Sequence, residues 1–523
     1  MSGRGAVWLA HLNGVQGVAG SSPAVPTSAL GIVRETEIFC RTFGLIACSL
    51  QAIGKSLPQL AISPKSTFGK KFLMSRSQHP KLLCVIIGEK MQRIEVGLIG
   101  FGTVGAGVVK ELKAKRDYIR GRYNLDIVLS KVCDKDLRTK RKAKVNKSLL
   151  TRNAYEIIDN PDIDIVIELI GGMGAAKEFI LAALRRKKCV VTANKALLSV
   201  SKRQLLQTAE KNGVQLRFEA SVCSGIPIIK ALREGLAANR MQSIYGIVNG
   251  TCNYILSEMK EKEIDFATAL RQAQKMGYAE RNPSLDIKGH DSAHKLAILA
   301  SLCFGIDVKP EHIYTEGITD ISADDIRYAS GFGYVIKLLA IAKKMNRELE
   351  LRVHPTLVPR RHPLASVCSN FNAVLIYADM VGETMFYGEG SGSRPTASAV
   401  INDIIDISND IRNNRQGRSP IIVYDKQVDK IKPKKDFYCS YYIRFSAVDK
   451  PGVLATISKI LANYNISIAS VSQKARKEYE VVPIVMLTHK AKELSLAKAL
   501  QEIDALNTIK KKSVVIRSER TRI

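Results

Sequence analysis

The 523-residue chain has no run of 18 apolar residues, so no segment offers a helix able to span a bilayer. It has no C-x-x-C pair and no zinc-type ligand spacing. Its ten cysteines are dispersed, as expected of reduced thiols in a cytoplasmic protein. It is also short of acid: 79 Lys and Arg stand against 49 Asp and Glu, a formal charge of +30. Such an excess first suggests nucleic acid, yet no basic stripe interleaved with aromatics occurs and the positive residues are scattered through every segment. The expectation is therefore no nucleic acid and no membrane, with a diffuse positive field that steers anionic small molecules such as dinucleotides. With 46% apolar and 24% charged residues the composition is globular, and the length implies about three domains.

Residues 1–90 lack any sustained helical or alternating period and carry ten Lys/Arg against three acids. Two readings compete. An Arg- and Ser-rich, acid-poor leader has the composition of a transit peptide. Alternatively, "VAGSSPAVPTS" resembles a reading frame extended upstream through a transfer-RNA gene, with Met91 as the natural start. The second is favoured, and disorder is expected there.

From Met91 the pattern sharpens. "IEVGLIGFGTVG" is an apolar strand running into G-x-G-x-x-G at Gly100, Gly102 and Gly105, and "AGVVKELKAKRDYIR" follows as a helix. Gly100 suits the tight turn, Gly102 a close backbone approach to a pyrophosphate, and Gly105 helix-on-strand packing. The helix N-terminus adds N–H donors. This context makes Gly100, Phe101, Gly102, Thr103, Val104 and Gly105 the expected dinucleotide loop. A second strand, "DIVLSKVCDKD", ends where the ribose is read. Asp134 suits a free 2′-hydroxyl and Lys135 a 2′-phosphate, so NAD and NADP both stay open. Further apolar strands at 163–172 and 188–198 fit a parallel sheet covered on both faces. Thr192 and Lys195 fall at the C-terminal end of the latter, where open α/β sheets bind ligands.

After residue 220 the alternation loosens, and "AERNPSLDIKGHDSAHK" gathers acids and amides before a lysine. Asp291 and Lys295 there have i,i+4 spacing, which by itself describes no more than a weak surface pair. The longer pattern is more specific: Ala273, Gly277, Tyr278, Ala279, Asn282, Pro283, Asp286, Gly289, Asp291 and Lys295 fill the signature of homoserine dehydrogenases, which the chain resembles over roughly 91–520. "TANKALL", "GIVNGTCNYIL", "RVHPTLVPRRHPLASV" and "GSRPTASAV" are similar to that family as well.

The resemblance implies NAD(P)-dependent interconversion of L-aspartate 4-semialdehyde and L-homoserine, in threonine, methionine and isoleucine biosynthesis. It implies Lys295 as the acid that protonates the carbonyl oxygen, Lys195 as its helper near nicotinamide and substrate, and Asp291 as the group orienting the ammonium. Glu280 and Asp286 are implied as ligands of the substrate amino group, and Glu219 with the Val222 main chain as a site for a monovalent cation, sodium or potassium. It further implies a homodimer or homotetramer. Two departures stand out: "GGMGAAKEF" lacks the family's usual acid and proline, and "ASVCSGIP" places Cys223 and Ser224 where glycine is usual. Cys223 supports a rival reading as the thiol of an acyl-phosphate-forming aldehyde dehydrogenase, although no adjacent histidine marks a base. A retired dehydrogenase serving as an amino-acid sensor is a further rival, and the presence of both lysines weighs against it.

"INDIIDIS" at 401–408 is expected to return as a helix to the nucleotide domain, followed by a Lys/Pro-rich linker. Residues 438–520 then read β-α-β-β-α-β. "DKPGVL" from Asp449 resembles the start of the first helix of an ACT domain, with Asp449 and Pro451 as cap and first turn. By that resemblance it binds an amino-acid effector, threonine. The expected architecture is α/β: a Rossmann-type domain over 91–220 plus about 390–415, an α+β substrate and dimerisation domain over 221–389, a linker over 416–437, and a ferredoxin-like ACT domain over 438–520. Residues 1–90 stand outside it.

Overall fold

The computed structural model describes residues 91–139, 141, 143–415, 428–473 and 480–519. The expectation for residues 1–90 and most of the linker lies outside the described residues.

Six strands form the first sheet: β1 (Gln92–Ile99), β2 (Leu125–Cys133), β3 (Leu150–Thr151), β4 (Ile165–Glu168), β5 (Cys189–Thr192) and β6 (Leu216–Arg217). Their order is β3-β2-β1-β4-β5-β6, and every pairing is parallel. That is the doubly wound order that binds dinucleotides across its switch point. Continuous Val/Ile runs explain it, because β4 and β5 are buried at every position. The longer helices here are α1 (Thr103–Tyr123), α2 (Gly174–Arg185) and α3 (Lys195–Lys211). Asn194 caps α3 by accepting the Leu197 N–H at 3.1 Å.

The middle of the chain supplies β7 (Met241–Ile247), α4 (Gly250–Lys262), α5 (Phe266–Lys275), α6 (His290–Phe304), β8 (Tyr314–Thr315), α7 (Ala323–Gly331), β9 (Tyr334–Met345), β10 (Glu348–Pro359), β11 (Phe371–Ala378) and β12 (Gly382–Glu389). A helix α8 (Ser393–Arg412) then returns to the first sheet and packs along α1. The Ser393 hydroxyl donates to the Thr103 carbonyl at 3.1 Å, and Arg412 Nη1 to the Tyr123 carbonyl at 2.7 Å. This helix begins eight residues before the stretch "INDIIDIS" that announced it.

Next come β13 (Lys430–Ile431), β14 (Tyr438–Val448), α9 (Val453–Asn463), β15 (Ile468–Ser472), β16 (Val481–Thr488), β17 (Ala491–Lys492), α10 (Glu493–Asp504) and β18 (Ile509–Ser518). The order β18-β14-β16-β15 is ferredoxin-like. Its sheet does not stand apart. β18 pairs in parallel with β10 at Thr356–Arg517 and Leu357–Ser518, giving one continuous 12-stranded sheet that runs to β12 at the other end. The joint is heavily ionic. Arg352 is fully buried against Glu350 at 2.8 Å, against Glu519 and against Cys439 Sγ at 2.7 Å. Arg517 donates to Glu316 at 2.8 Å and to Glu493 Oε2 at 3.1 Å. One expectation needs correcting: α9 starts at Val453 after Gly452 at φ +89°, so Asp449 and Pro451 lie ahead of it in a turn. The Asp449 N–H donates to the Glu480 carbonyl at 2.8 Å, which ties this turn to the start of β16 and not to the helix.

Candidate active site

The glycine loop follows from β1. Gly100 has φ +106°, and a side chain there would strike the Leu169 main chain. A side chain at Gly105 would strike the Gly100 carbonyl, so α1 can start this close to the strand only with glycine. At Gly102 a Cβ would meet open space, so the backbone at the N-terminus of α1 stays open to close approach. Thr103 is exposed at the first helical position, Val104 half-buried, and Phe101 buried.

Asp134 sits beside this loop. Its Oδ2 accepts the Phe101 N–H at 2.6 Å and its Oδ1 the Asp136 N–H at 2.8 Å. Lys135 is exposed. Arg141, absent from the sequence reading, donates through Nε to the Phe101 carbonyl at 2.7 Å and stands 4.0 Å from Asp134. Across the switch point the buried Glu168 ends β4. It accepts the Thr192 hydroxyl at 2.6 Å and the Ile170 N–H at 2.9 Å, and burial pushes its carboxyl up.

Packing of α3 against α6 brings the two lysines together. Lys195, the first residue of α3, reaches Asp291 Oδ1 at 2.8 Å. Lys295 reaches Asp291 Oδ2 at 2.8 Å and donates to the Val248 carbonyl at 2.6 Å. Lys295 and Asp291 are 7% and 3% exposed, whereas the Lys195 side chain is 44% exposed, so the pair opens to solvent on the Lys195 side. Burial alone would raise the Asp291 carboxyl, but the two ammoniums outweigh it and hold it well below the carboxylate range. Burial would likewise lower Lys295, and the charge of Asp291 more than restores it.

Asp286 lies in the helical turn Ser284–Ile287 and is joined to Asp291 through Asn249, which sequence reasoning missed. An Asn opening a turn before an apolar run is a helix-cap signal, and that signal would have found it. Glu280 is exposed in the preceding turn. Among the described residues no hydrogen bond or ion pair joins its side chain to the cluster, although Gln274 fixes its carbonyl at 3.2 Å.

Cys223 is buried at φ +49°, and Asn372 Nδ2 lies 3.4 Å from its sulfur. Burial pushes the thiol up, which disfavours the thiolate that the rival reading requires. Glu219 accepts the Ile229 and Lys230 N–H groups at 2.8 and 2.7 Å, beside a buried Val222.

A parallel nucleotide sheet, a glycine turn at its switch point and a Lys–Asp–Lys group that opens to solvent at one lysine suit an aldehyde reductase working with a dinucleotide. Family models for the homoserine dehydrogenase NAD binding domain, homoserine dehydrogenase itself and the ACT domain match residues 100–219, 227–405 and 441–508. The chain belongs to the homoserine dehydrogenase family. It is similar to the homoserine dehydrogenase of Neisseria gonorrhoeae, with 43% identity over 82% of this chain and 99% of that one. With that of Bacillus subtilis the identity is 39% over the same shares. The crystal structure of a homoserine dehydrogenase from Thiobacillus denitrificans aligns with TM-score 0.77 and 42% identity, covering 83% of this chain and 99% of that one. The reaction is thus the NAD(P)-dependent interconversion of L-aspartate 4-semialdehyde and L-homoserine, an oxidoreduction at a CH–OH group within amino-acid biosynthesis. Of the rivals, the sensor and nucleic-acid readings have no support in these matches.

Proposed function

We propose that Lys295 is the acid of this reaction and that Asp291, shared between Lys295 and Lys195, holds it in place. The single observation behind this is the pair of 2.8 Å contacts to opposite oxygens of one buried carboxylate. A cofactor bound on the Gly100–Gly105 loop supplies or accepts the hydride. In the reducing direction Lys295 donates its proton to the aldehyde oxygen as charge develops there, and Lys195 adds a second positive charge at the open side. Asp286 and Glu280 hold the substrate's α-ammonium, an assignment that the partial burial of Asp286 beside the lysines supports. Thr192, through Glu168, fixes the end of β5 that presents Lys195. The test is homoserine oxidation on the full chain, followed as nicotinamide absorbance. Unchanged turnover in Lys295→Ala would refute the role of the acid.

NADP is the preferred cofactor, because Asp134 spends both oxygens on loop N–H groups while Arg141 and Lys135 offer positive charge beside it. A monovalent cation, sodium or potassium, belongs at Glu219 and the Val222 main chain. The carboxyl of Glu219 is pushed up by burial, so a cation beside it would offset that cost. Rates compared in sodium, potassium and choline chloride decide the point. Threonine is the effector at a cavity of about 270 Å³ lined by Asp449, Lys450, Gly452 and Gln473. The packing of α8 on α1 supports joining 390–415 to 91–220, with 221–389 and 438–520 as the other two domains of this reading. Two or four copies assemble, and β12 offers an edge with exposed Met385 and Tyr387. Among the described residues no helix is long and apolar enough to cross a membrane, in keeping with a cytoplasmic place.

A further inference from the structure

Asp286 and Asp291 stand on either side of one amide. Asn249 Nδ2 donates to Asp286 Oδ1 and to Asp291 Oδ2, both at 2.7 Å, spending its two hydrogens. Its Oδ1 accepts the Cys252 N–H at 2.8 Å as the N-cap of α4. That last bond fixes the orientation of the amide. Flipped, it would set an oxygen between two carboxylates and an NH2 against an N–H. The side chain is buried, at 5% exposure, so no solvent competes for these bonds.

Two carboxylates in one buried site oppose each other's ionisation. Asp291 has two lysines to hold its charge; among the described residues Asp286 has none at contact distance. The groups facing Asp286 are Asp291 and Lys295 from α6, Lys195 from α3, and the Cys252 thiol, which donates to its main-chain oxygen at 3.2 Å. Burial and then the charge of Asp291 push the Asp286 carboxyl up, and the Asn249 bond is the largest influence pulling it back.

We infer that Asn249 is a positioning residue for substrate recognition: it ties Asp286 to Asp291, and so sets where the carboxylate that meets the α-ammonium stands relative to the lysines. The inference rests on the proposed role of Asp286 as substrate ligand. It adds the reason why an acid that receives the substrate can sit beside the acid that serves the catalyst.

Three variants of the full chain test it, with homoserine oxidation measured from pH 6 to 9 at saturating NADP. Asn249→Asp keeps volume and cap but replaces the donor with a third carboxylate. Asn249→Ser keeps a cap and reaches neither acid. Asp286→Asn removes the ligand itself. The homoserine KM is expected to rise about tenfold or more in both Asn249 variants, equivalent to ~1.4 kcal/mol, with a smaller fall in kcat. The acidic limb of kcat/KM is expected to move to higher pH. Unchanged KM and limb in the Asn249 variants, with a raised KM in Asp286→Asn, would overturn the inference and leave the site reading standing. An unchanged KM in Asp286→Asn would remove both. If Asn249→Asp does not fold, Asn249→Ser decides, and a lowered melting temperature with wild-type KM counts against the proposal.

Discussion

Lys195 and Lys295, a hundred residues apart in the chain, end on opposite oxygens of the same carboxylate, each at 2.8 Å. Neither ammonium could approach the other so closely without Asp291 between them, because two like charges at that range repel strongly in a poorly solvated site. The carboxylate therefore sets the position of both lysines and contributes to the folding energy.

Asp291→Asn should expose that double role. Lys295 is buried, and an unpaired buried charge costs about 3–5 kcal/mol. Denaturant titration should show a loss of that order. Turnover should fall by at least about 100-fold, with the NADP KM little changed. A variant as stable and as fast as the parent would mean that the lysines have another counter-ion.

Lys295→Ala and Lys195→Ala should differ in degree. Removing the buried acid should lower kcat by about 10²–10⁴-fold while cofactor binding, followed by fluorescence titration, survives. Lys195 is the more exposed partner and should cost less. Glu280→Ala should act on the homoserine KM alone, because its side chain touches neither lysine among the described residues.

Arg141→Ala is expected to change cofactor choice. Loss of one charge-assisted contact to a 2′-phosphate costs about 1.5–3 kcal/mol, so the NADP-to-NAD ratio of kcat/KM should drop at least about tenfold. Because Arg141 also bonds the Phe101 carbonyl, some loss with NAD is expected as well. An unaltered ratio would move the reading of the ribose elsewhere.

Lys337 gives a pH signature remote from the site. Its ammonium is buried on β9, donating to Asn253 Oδ1 at 3.0 Å and the Val367 carbonyl at 2.5 Å, and burial lowers it to about 8. The unfolded chain holds that proton up to the ordinary lysine value near 10.5. Between these limits the unfolded state binds more protons, so this residue makes stability rise with pH by up to about 1.4 kcal/mol per unit. Compared with Lys337→Met, the parent should gain in denaturation midpoint from pH 8 to 10. A constant difference would show that the lysine is not depressed.

Much of this was legible in the chain because it is local. The glycine loop reads from β1 into α1, and Asp291–Lys295 reads from one helical repeat. The arrangement of the β-α-β-β-α-β segment reads from alternating apolar periods. What escaped is non-local. The Lys195–Asp291 contact exists only because α3 packs on α6, and Asn249 binds residues 37 and 42 positions away. Arg141 lies beyond β2 in a stretch with no period to announce it. The start of α9 was misplaced because Asp and Pro are common in turns as well as in first helical turns, and β16's neighbour Glu480 claimed the Asp449 N–H.

The outer edge of β10 is bonded in succession by three separate parts of the chain: β13 at Glu348 and Leu349, β8 at Arg352 and Val353, and β18 at Thr356 and Leu357. A domain swap or gene fusion that treated the C-terminal unit as a detachable bead would therefore open a strand in the middle of a sheet. It would strip Arg352 of Glu519 and bare backbone groups that invite another chain to pair. Grafting this unit onto a different scaffold would need a replacement strand as much as a linker. By the same token, a homologue lacking the unit must have closed the edge of its β10 in some other way.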